Sequence, residues 1–153
     1  MDLYVIAKKF REAIEEAKCR GEFCKKDKRH NWDRMMNFPN GCCDDTCDLL
    51  GYYLKENFEI FTEQVVGRYE TGNYEDLTNH VWLVTTDNEI IDITGDQFER
   101  NPRVYVGPEN DFYKSLGKKH IQKNYDISKD DRLKNDYDII LKYINGNLHG
   151  IHK

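Results

Sequence analysis

Residues 38–50 read FPNGCCDDTCDLL, and this stretch predicts the start of a helix that carries three of the five cysteines. A Pro and a Gly mark a turn, and a helix is expected from about residue 42 to residue 56. One stripe of this helix should face the core, and it comprises Cys43, Cys47, Leu50 and Leu54. Cys42 is expected to be rotated away from that stripe, toward the loop. The sequence therefore places Cys43 at a helix N-terminus and on the inward face.

The composition is that of a somewhat polar globular chain. Its 153 residues are 39% hydrophobic and 33% charged, which predicts a single domain, residues 1–153, with a core of its own. The formal net charge of -5 argues against nucleic acid or an anionic membrane as the main partner, since both favour a basic surface. The apolar run near the start is too short for a signal peptide, and no later run approaches membrane-spanning length. We therefore expect a cytoplasmic protein, and we expect no cofactor.

The periodicity changes along the chain in an order typical of an α+β fold. An amphipathic pattern predicts a helix over residues 2–19, with Arg11 among the polar residues between the apolar ones. Patterns typical of strands follow at 60–70, 80–85, 89–94 and 103–106, the second and third as a hairpin. Residues 109–129 are ambiguous, with a short helix near 112–116, and a clear C-terminal helix follows at 130–145. The prediction is N-terminal helices packed on a central antiparallel sheet, with a C-terminal helix.

The position of Cys43 suggests a nucleophile. A helix N-terminus favours a thiolate through the helix dipole and the unpaired backbone N–H groups, which also bind oxyanions. Asp44 and Asp45 oppose this effect, because they add negative charge to the same turn. A nearby imidazolium is then needed, as in a cysteine–histidine ion pair. Of the five histidines only His80, beside Trp82, falls in an expected strand; the others are His30, His120, His149 and His152.

Asp92 stands in the apolar run EIIDIT, where a carboxylate needs a partner such as an imidazole N–H. Direct cross-strand pairing of His80 with Asp92 requires a hairpin loop centred on Thr86, which puts the even-numbered residues, Trp82 included, on one face. A two-residue turn at 87–88 would instead put Leu83 opposite Asp92. The sequence leaves this choice of register open.

Three short motifs now stand in order: GCC at the helix start, HVW at 80–82 and IDIT at 91–94. Together they resemble the transglutaminase-like branch of the papain-fold cysteine enzymes, whose members commonly show Gly-x-Cys, His-Ala-Trp and an Asp-Pro-Thr-like strand end. The resemblance covers residues 38–98, and the run DITGDQF is similar to small bacterial and phage proteins of this type. It implies a papain-like or transglutaminase-like fold with Cys43 as nucleophile, His80 as base and Asp92 as the orienting acid. The chain departs from the pattern at Asp44, where many relatives have an aromatic residue.

The sequence thus predicts a cysteine-dependent acyl-transfer enzyme that acts on an amide or ester as a peptidase, a deamidase or a transglutaminase-like enzyme. The substrate is expected to be a peptide or protein, with a glutamine or other amide side chain among the possibilities. Backbone N–H groups at Cys43 would bind the oxyanion. Further candidates for substrate or oxyanion contacts are Asn37, Cys42, Trp82 and Gln97. Hydrolysis and transfer differ only in whether water or an amine reaches the acyl-enzyme.

Two other functions fit the same sequence. One is a catalytically inactive binding or effector module that keeps the fold. The other is a small zinc-binding protein that uses Cys19 and Cys24 with Cys43, Cys47 or His30, although the C-x4-C and C-x3-C spacings are loose for zinc. Thiol reactivity distinguishes the enzyme from the inactive module, and metal content tests the zinc site.

Overall fold

The computed structural model describes residues 2–24, 34–69 and 78–150. Within these ranges the chain has four α-helices and a five-stranded antiparallel sheet, so the predicted α+β class is confirmed. The helices are α1 (Leu3–Cys19), α2 (Cys43–Phe58), α3 (Asp111–Ser115) and α4 (Asp131–Gly150). The strands are β1 (Thr62–Tyr69), β2 (Thr78–Thr85), β3 (Ile90–Asp92), β4 (Tyr105–Gly107) and β5 (Gly117–Gln122), in the order β4-β3-β2-β1-β5. Among the residues described, no helix combines the length and apolarity needed to cross a membrane.

The two faces of the sheet contribute to different parts of the core. Val81 and Leu83 of β2 pack in the main core with residues of α1, α2 and α4. Trp82, which points the other way, packs with Ile90, Tyr113 and Leu116 in a smaller cluster. Because side chains alternate along a strand, His80 lies on the Trp82 face.

The hairpin between β2 and β3 uses neither of the expected registers. Leu83 pairs with Ile91 and Val84 with Ile90, so the loop spans residues 86–88 and is centred on residue 87. Its last residue, Asn88, has a φ of 63°, in the left-handed region that asparagine tolerates better than most residues. A three-residue loop that ends in such a residue is a common hairpin connection. The loop centred on Thr86 and the two-residue turn at 87–88 were therefore both wrong.

This register still places His80 and Asp92 on the same face of the sheet. Continued by one residue, it puts Asp92 opposite Trp82, two positions from His80 along β2. His80 and Asp92 are therefore diagonal neighbours rather than a direct pair, and diagonal neighbours are within reach of long side chains. The prediction that the even-numbered residues share a face is confirmed.

Two elements differ from the sequence prediction. β5 lies in the ambiguous segment and pairs with β1 at the edge of the sheet. Most of its side chains are exposed, so no alternation of buried and exposed residues marks it as a strand. The helix predicted over 130–145 continues past Gly146 to Gly150, because a glycine inside a helix costs only about 1 kcal/mol relative to alanine and is a weak stop signal.

Candidate active site

A buried pair of side chains forms the centre of the site. His80 Nε2 lies 2.6 Å from Asp92 Oδ2, and the two side chains are 0% and 1% exposed. Burial acts to lower the pKa of His80, but the charge and hydrogen bond of Asp92, with a smaller contribution from Cys43, raise it to about 9. Burial likewise disfavours the Asp92 carboxylate, yet His80 and two further donors hold its pKa below the ordinary value. Near neutral pH the pair is therefore an imidazolium and a carboxylate.

Both oxygens of Asp92 are satisfied by hydrogen bonds. The Tyr113 hydroxyl donates to Oδ2 at 2.7 Å, and the Thr94 backbone N–H donates to Oδ1 at 3.0 Å. The Thr94 hydroxyl adds a longer contact to Oδ1 at 3.4 Å. Sequence reasoning missed Tyr113, which lies in the ambiguous segment. Thr94 stood within the IDIT motif, and the Asx turn from an Asp to the N–H two residues later was the signal for its role.

Cys43 reaches this pair from the start of α2. The Cys43 side chain is half-buried, and the thiol lies close enough to His80 to contribute to the raised pKa of the imidazole. Because Nε2 of the ring faces Asp92, the Nδ1 side is left for the sulfur. One turn further along α2, Cys47 Sγ donates to the backbone oxygen of Val81 at 3.5 Å, which places the helix beside the part of β2 that holds His80. The structure thus brings Cys43, His80 and Asp92 together in that order.

The other two cysteines of this segment are buried thiols. Cys47 lies on the inward stripe as expected, and burial raises its pKa well above the usual value. Cys42 was expected to turn toward the loop, but its side chain is 0% exposed and 3.7 Å from the Thr46 hydroxyl. It is the N-cap residue, with φ −134° and ψ 24°, so helical spacing does not describe where it points. Burial raises the pKa of Cys42 to about 12, so this thiol stays protonated.

Two arginines compensate the acidic first turn of α2. Arg34 Nη2 lies 2.8 Å from Asp45 Oδ1 and 3.0 Å from Asp44 Oδ2. Arg132 of α4 adds a contact of 3.0 Å to Asp45 Oδ2. The two aspartates were expected to oppose a thiolate, and these guanidinium groups offset much of that opposition. Nothing in the sequence indicates the second partner, which is 87 residues from Asp45.

Gln97 is one of the further candidates that the structure brings to the triad. Its side-chain Nε2 donates to Thr94 O at 3.0 Å and lies 3.3 Å from His80 Nδ1. The second contact is a hydrogen bond only when Nδ1 carries no proton, because an imidazolium has a proton on each nitrogen. With the ring protonated, the amide N–H beside Nδ1 is free to bind another acceptor. Gln97 therefore places an amide donor beside the Nδ1 side of the imidazole.

The other candidates have different surroundings. Trp82 is 1% exposed and forms a wall of the site, with ring centroids 5.7 Å from His80 and 5.0 Å from Tyr113. Asn37 is exposed at the end of the short 3-10 helix Arg34–Asn37, and its backbone oxygen accepts from Asn40 N. Cys42 points into the core. Of the four candidates, Gln97 is therefore the one with a donor beside the imidazole.

The start of α2 also offers backbone donors. Asp45 N donates to Asp44 Oδ1 at 2.9 Å, and Thr46 N makes the first intrahelical bond, to Cys42 O at 2.9 Å. The N–H groups of Cys43 and Asp44 precede that bond and have no intrahelical acceptor. They are therefore positioned to bind negative charge that develops on a carbonyl oxygen next to the sulfur.

A buried arginine fixes the segment that carries Thr94 and Gln97. Arg11 was expected on the polar face of α1, but it is 3% exposed. Its Nη1 lies 2.8 Å from Ile93 O and 2.6 Å from Asp96 Oδ1, and its Nη2 lies 2.8 Å from Asp96 Oδ2. This bidentate contact ties α1 to the 3-10 helix Gly95–Gln97 directly after Asp92.

In the part of the chain that the structure describes, no group of three or more histidine, cysteine or acidic side chains is arranged to hold a metal ion. The zinc alternative also involved His30 and the Cys24 side chain, which lie outside the described residues. Comparison with protein-family models found no match for this chain. Comparisons with curated proteins and with solved structures also found none. The function is therefore argued from the geometry of the site.

The His80–Asp92 pair predicts a pH-dependent free energy of unfolding. Because the pKa of His80 is raised from 6.5 to about 9, its contribution is complete below pH 6.5 and is lost as the pH rises through 9. The loss amounts to about 3 kcal/mol at 1.4 kcal/mol per pH unit. The pKa of Asp92 is lowered from 3.8, so its contribution is complete above that pH and is lost as the pH falls through the lower value.

Urea unfolding at neutral and alkaline pH measures this effect. The His80→Gln variant serves as the control, since it retains every other group that titrates in the alkaline range. The alkaline loss of stability should be larger in the unmodified protein than in His80→Gln. Equal losses in the two proteins would contradict the assignment of a raised pKa to His80.

Proposed function

We propose that this protein is a cysteine-dependent acyl-transfer enzyme of the papain-like or transglutaminase-like type, with an amide or ester as its substrate. The observation that carries the proposal is the buried His80–Asp92 pair, with Cys43 at the start of α2 close enough to contribute to the raised pKa of His80. A nucleophile, a proton carrier and an anion that orients the carrier are the parts that acyl transfer requires.

The two nitrogens of His80 take different roles in this reaction. Nε2–H is donated to Asp92, which fixes the orientation of the ring and stabilises its positive charge. Nδ1, the nitrogen not bound to Asp92, accepts the proton of Cys43, which leaves a thiolate beside an imidazolium. The raised pKa of His80 supports this state, because the ring stays protonated near neutral pH.

Catalysis then proceeds in two steps. The Cys43 thiolate attacks the carbonyl carbon, and the electron pair of the C=O bond moves to oxygen, where the N–H groups of Cys43 and Asp44 and the Gln97 amide can donate. As the carbonyl re-forms, His80 gives its Nδ1 proton to the departing amine or alcohol, and a thioester remains. Water or an amine then attacks the thioester while His80 takes a proton from it, and the same ring returns that proton to the sulfur.

The substrate we propose is a peptide or protein amide, including the side chain of a glutamine. The choice between hydrolysis and transfer depends on which nucleophile reaches the thioester. Incubation of the enzyme and a glutamine-containing peptide with a labelled primary amine separates the two, because transfer incorporates the label and hydrolysis releases ammonia or a cleaved peptide.

The chemical test of the proposal is the rate of alkylation of each thiol by iodoacetamide, followed by mass spectrometry. At about pH 6 we expect Cys43 to react at least about tenfold faster than Cys19, an exposed cysteine outside the site, because of these two thiols it is Cys43 that the proposed mechanism pairs with an imidazolium. His80→Gln should remove this advantage, and Cys19→Ala should leave the rate at Cys43 unchanged. If Cys43 reacts no faster than Cys19, the proposed reaction has no nucleophile.

A further inference from the structure

We propose that Tyr113 is a positioning residue of this site, whose hydroxyl shares the Asp92 oxygen that accepts from His80 and so limits how firmly the carboxylate holds the imidazolium. The effect on catalysis rests on the proposed function. The contact itself is a property of the fold and can be measured without any substrate.

Two donors converge on one carboxylate oxygen. Tyr113 Oη lies 2.7 Å from Asp92 Oδ2, and His80 Nε2 lies 2.6 Å from the same atom. The other oxygen, Oδ1, accepts from Thr94. Tyr113 is 2% exposed, and burial together with the Asp92 charge raises the pKa of its phenol well above the usual value. The phenol therefore remains a proton donor throughout the range in which the site would work.

The surrounding structure holds the Tyr113 hydroxyl against Asp92. The ring packs against Trp82 at a centroid distance of 5.0 Å and against Tyr105 at 5.5 Å. Gly95 has no side chain and so leaves space for both groups. A Cβ there would lie 2.9 Å from Asp92 Oδ2 and 3.6 Å from Tyr113 Oη. The hydroxyl and the carboxylate therefore occupy a space that excludes even one added methyl group without movement.

The shared oxygen has a predictable electrostatic consequence. A hydrogen bond from a neutral donor disperses the negative charge of a carboxylate and weakens its attraction for a second donor. Without Tyr113, the Oδ2 charge would act on His80 alone, and the ring would hold its proton more tightly. Acyl transfer needs the ring both to take and to release a proton, so an imidazolium held too firmly is a poorer acid. Tyr113 thereby keeps the attraction between Asp92 and the His80 imidazolium strong enough for the ring to take a proton and weak enough for the ring to release it.

The test compares Tyr113→Phe with Tyr105→Phe. Both remove one phenol oxygen from the same cluster and keep the ring, but the Tyr105 hydroxyl donates to Pro108 O, whereas the Tyr113 hydroxyl donates to Asp92. The pKa of His80 is measured by NMR on protein with labelled histidine, and the signal is assigned with His80→Gln. In Tyr113→Phe we expect this pKa to rise by about 0.5 to 1 pH unit, the equivalent of one ordinary hydrogen bond. Tyr105→Phe should leave it unchanged.

A second measurement keeps the proposal testable if Tyr113→Phe perturbs the fold. Replacement of all tyrosines by 3-fluorotyrosine retains every ring and makes each phenol a stronger donor, so the pKa of His80 should fall. The same replacement in the Tyr113→Phe background should produce no fall. An unchanged or lower pKa in Tyr113→Phe, or an equal fall in both backgrounds, would overturn the proposal.

Activity provides the link to catalysis. With an ester or amide substrate, Tyr113→Phe should lower kcat several-fold with little change in KM, and the alkaline limb of the pH profile should move up with the pKa of His80. If the NMR shift occurs but Cys43 shows no enhanced reactivity, the proposed function fails and the positioning contact stands. If Cys43 is reactive and the pKa of His80 does not move, the inference about Tyr113 fails alone.

Discussion

Asp92→Ala is expected to lower the free energy of unfolding by about 3–5 kcal/mol at neutral pH, because the buried His80 loses its counter-ion and has to give up its proton. His80 has no exposed surface through which water could replace the lost carboxylate. Two other donors, the Tyr113 hydroxyl and the Thr94 N–H, lose their acceptor in the same substitution. Each buried donor left without an acceptor adds about 1–3 kcal/mol to the loss of stability. Relaxation of the site reduces this amount.

Chemical denaturation of Asp92→Ala measures this loss, with Asp87→Ala as the matched control. Asp87 is an exposed carboxylate in the loop between β2 and β3, so its removal changes the net charge equally without opening the site. The variant His80→Gln/Asp92→Ala should be less destabilised than the sum of the two single variants, because each single change already removes the whole interaction between the two side chains. Strict additivity would show that His80 and Asp92 do not act as a pair.

The same substitution should remove most of the activity. Without Asp92, burial lowers the pKa of the imidazole against only the smaller effect of Cys43, so the ring becomes neutral and loses its fixed orientation. By the proposed mechanism, kcat/KM should fall by a factor of about 10³–10⁴, the usual effect of removing the acid that orients a catalytic histidine. Asp92→Asn should be less destabilised than Asp92→Ala but retain little activity, since its single amide oxygen still accepts a hydrogen bond while the group supplies no charge.

Local signals in the sequence were enough to indicate the parts of the candidate site. The helix start at Cys43, the strand at His80 and the apolar run around Asp92 are each readable within a few residues, because helix caps and strand alternation depend on near neighbours. The hairpin register was harder to predict. The register depends on the number of residues in the loop, and the chain forms a three-residue loop at 86–88, closed by a left-handed Asn88, which neither expectation included.

The contacts that complete the site come from distant parts of the chain. Arg132 compensates Asp45 from the C-terminal helix, and Tyr113 reaches Asp92 from α3. Neither residue stands in a motif, because a single arginine or tyrosine in a polar segment has no period that marks its partner. The expectation that Arg11 lies on the polar face of α1 was wrong for a related reason. A charged residue on an amphipathic helix is normally solvated, and only the fold shows which carboxylate Arg11 contacts.

Arg11→Met is expected to lower the free energy of unfolding by about 3–5 kcal/mol, which is the usual effect of removing one partner of a buried ion pair. Arg11 is 3% exposed and donates to Asp96 and to two backbone oxygens, those of Ile93 and Arg103. All of these acceptors lose their donor together. Lys8→Met, on the exposed side of the same helix, removes an equal charge without this loss and should change stability by less than about 0.5 kcal/mol.

The Arg11 substitutions also test whether α1 supports the site. Arg11→Lys keeps the charge but cannot form the bidentate contact, so we expect an intermediate stability. Because Thr94 and Gln97 flank Asp96, loosening this contact should also slow the alkylation of Cys43, even at temperatures where the variant is fully folded. Arg11→Met/Asp96→Leu should recover part of the stability, since it leaves no unpaired charge, without recovering the alkylation rate. If the double variant recovers both the stability and the alkylation rate, the ion pair stabilises only the fold. If the alkylation rate stays low in every variant that lacks Arg11, whatever its stability, Arg11 is part of the support for the triad.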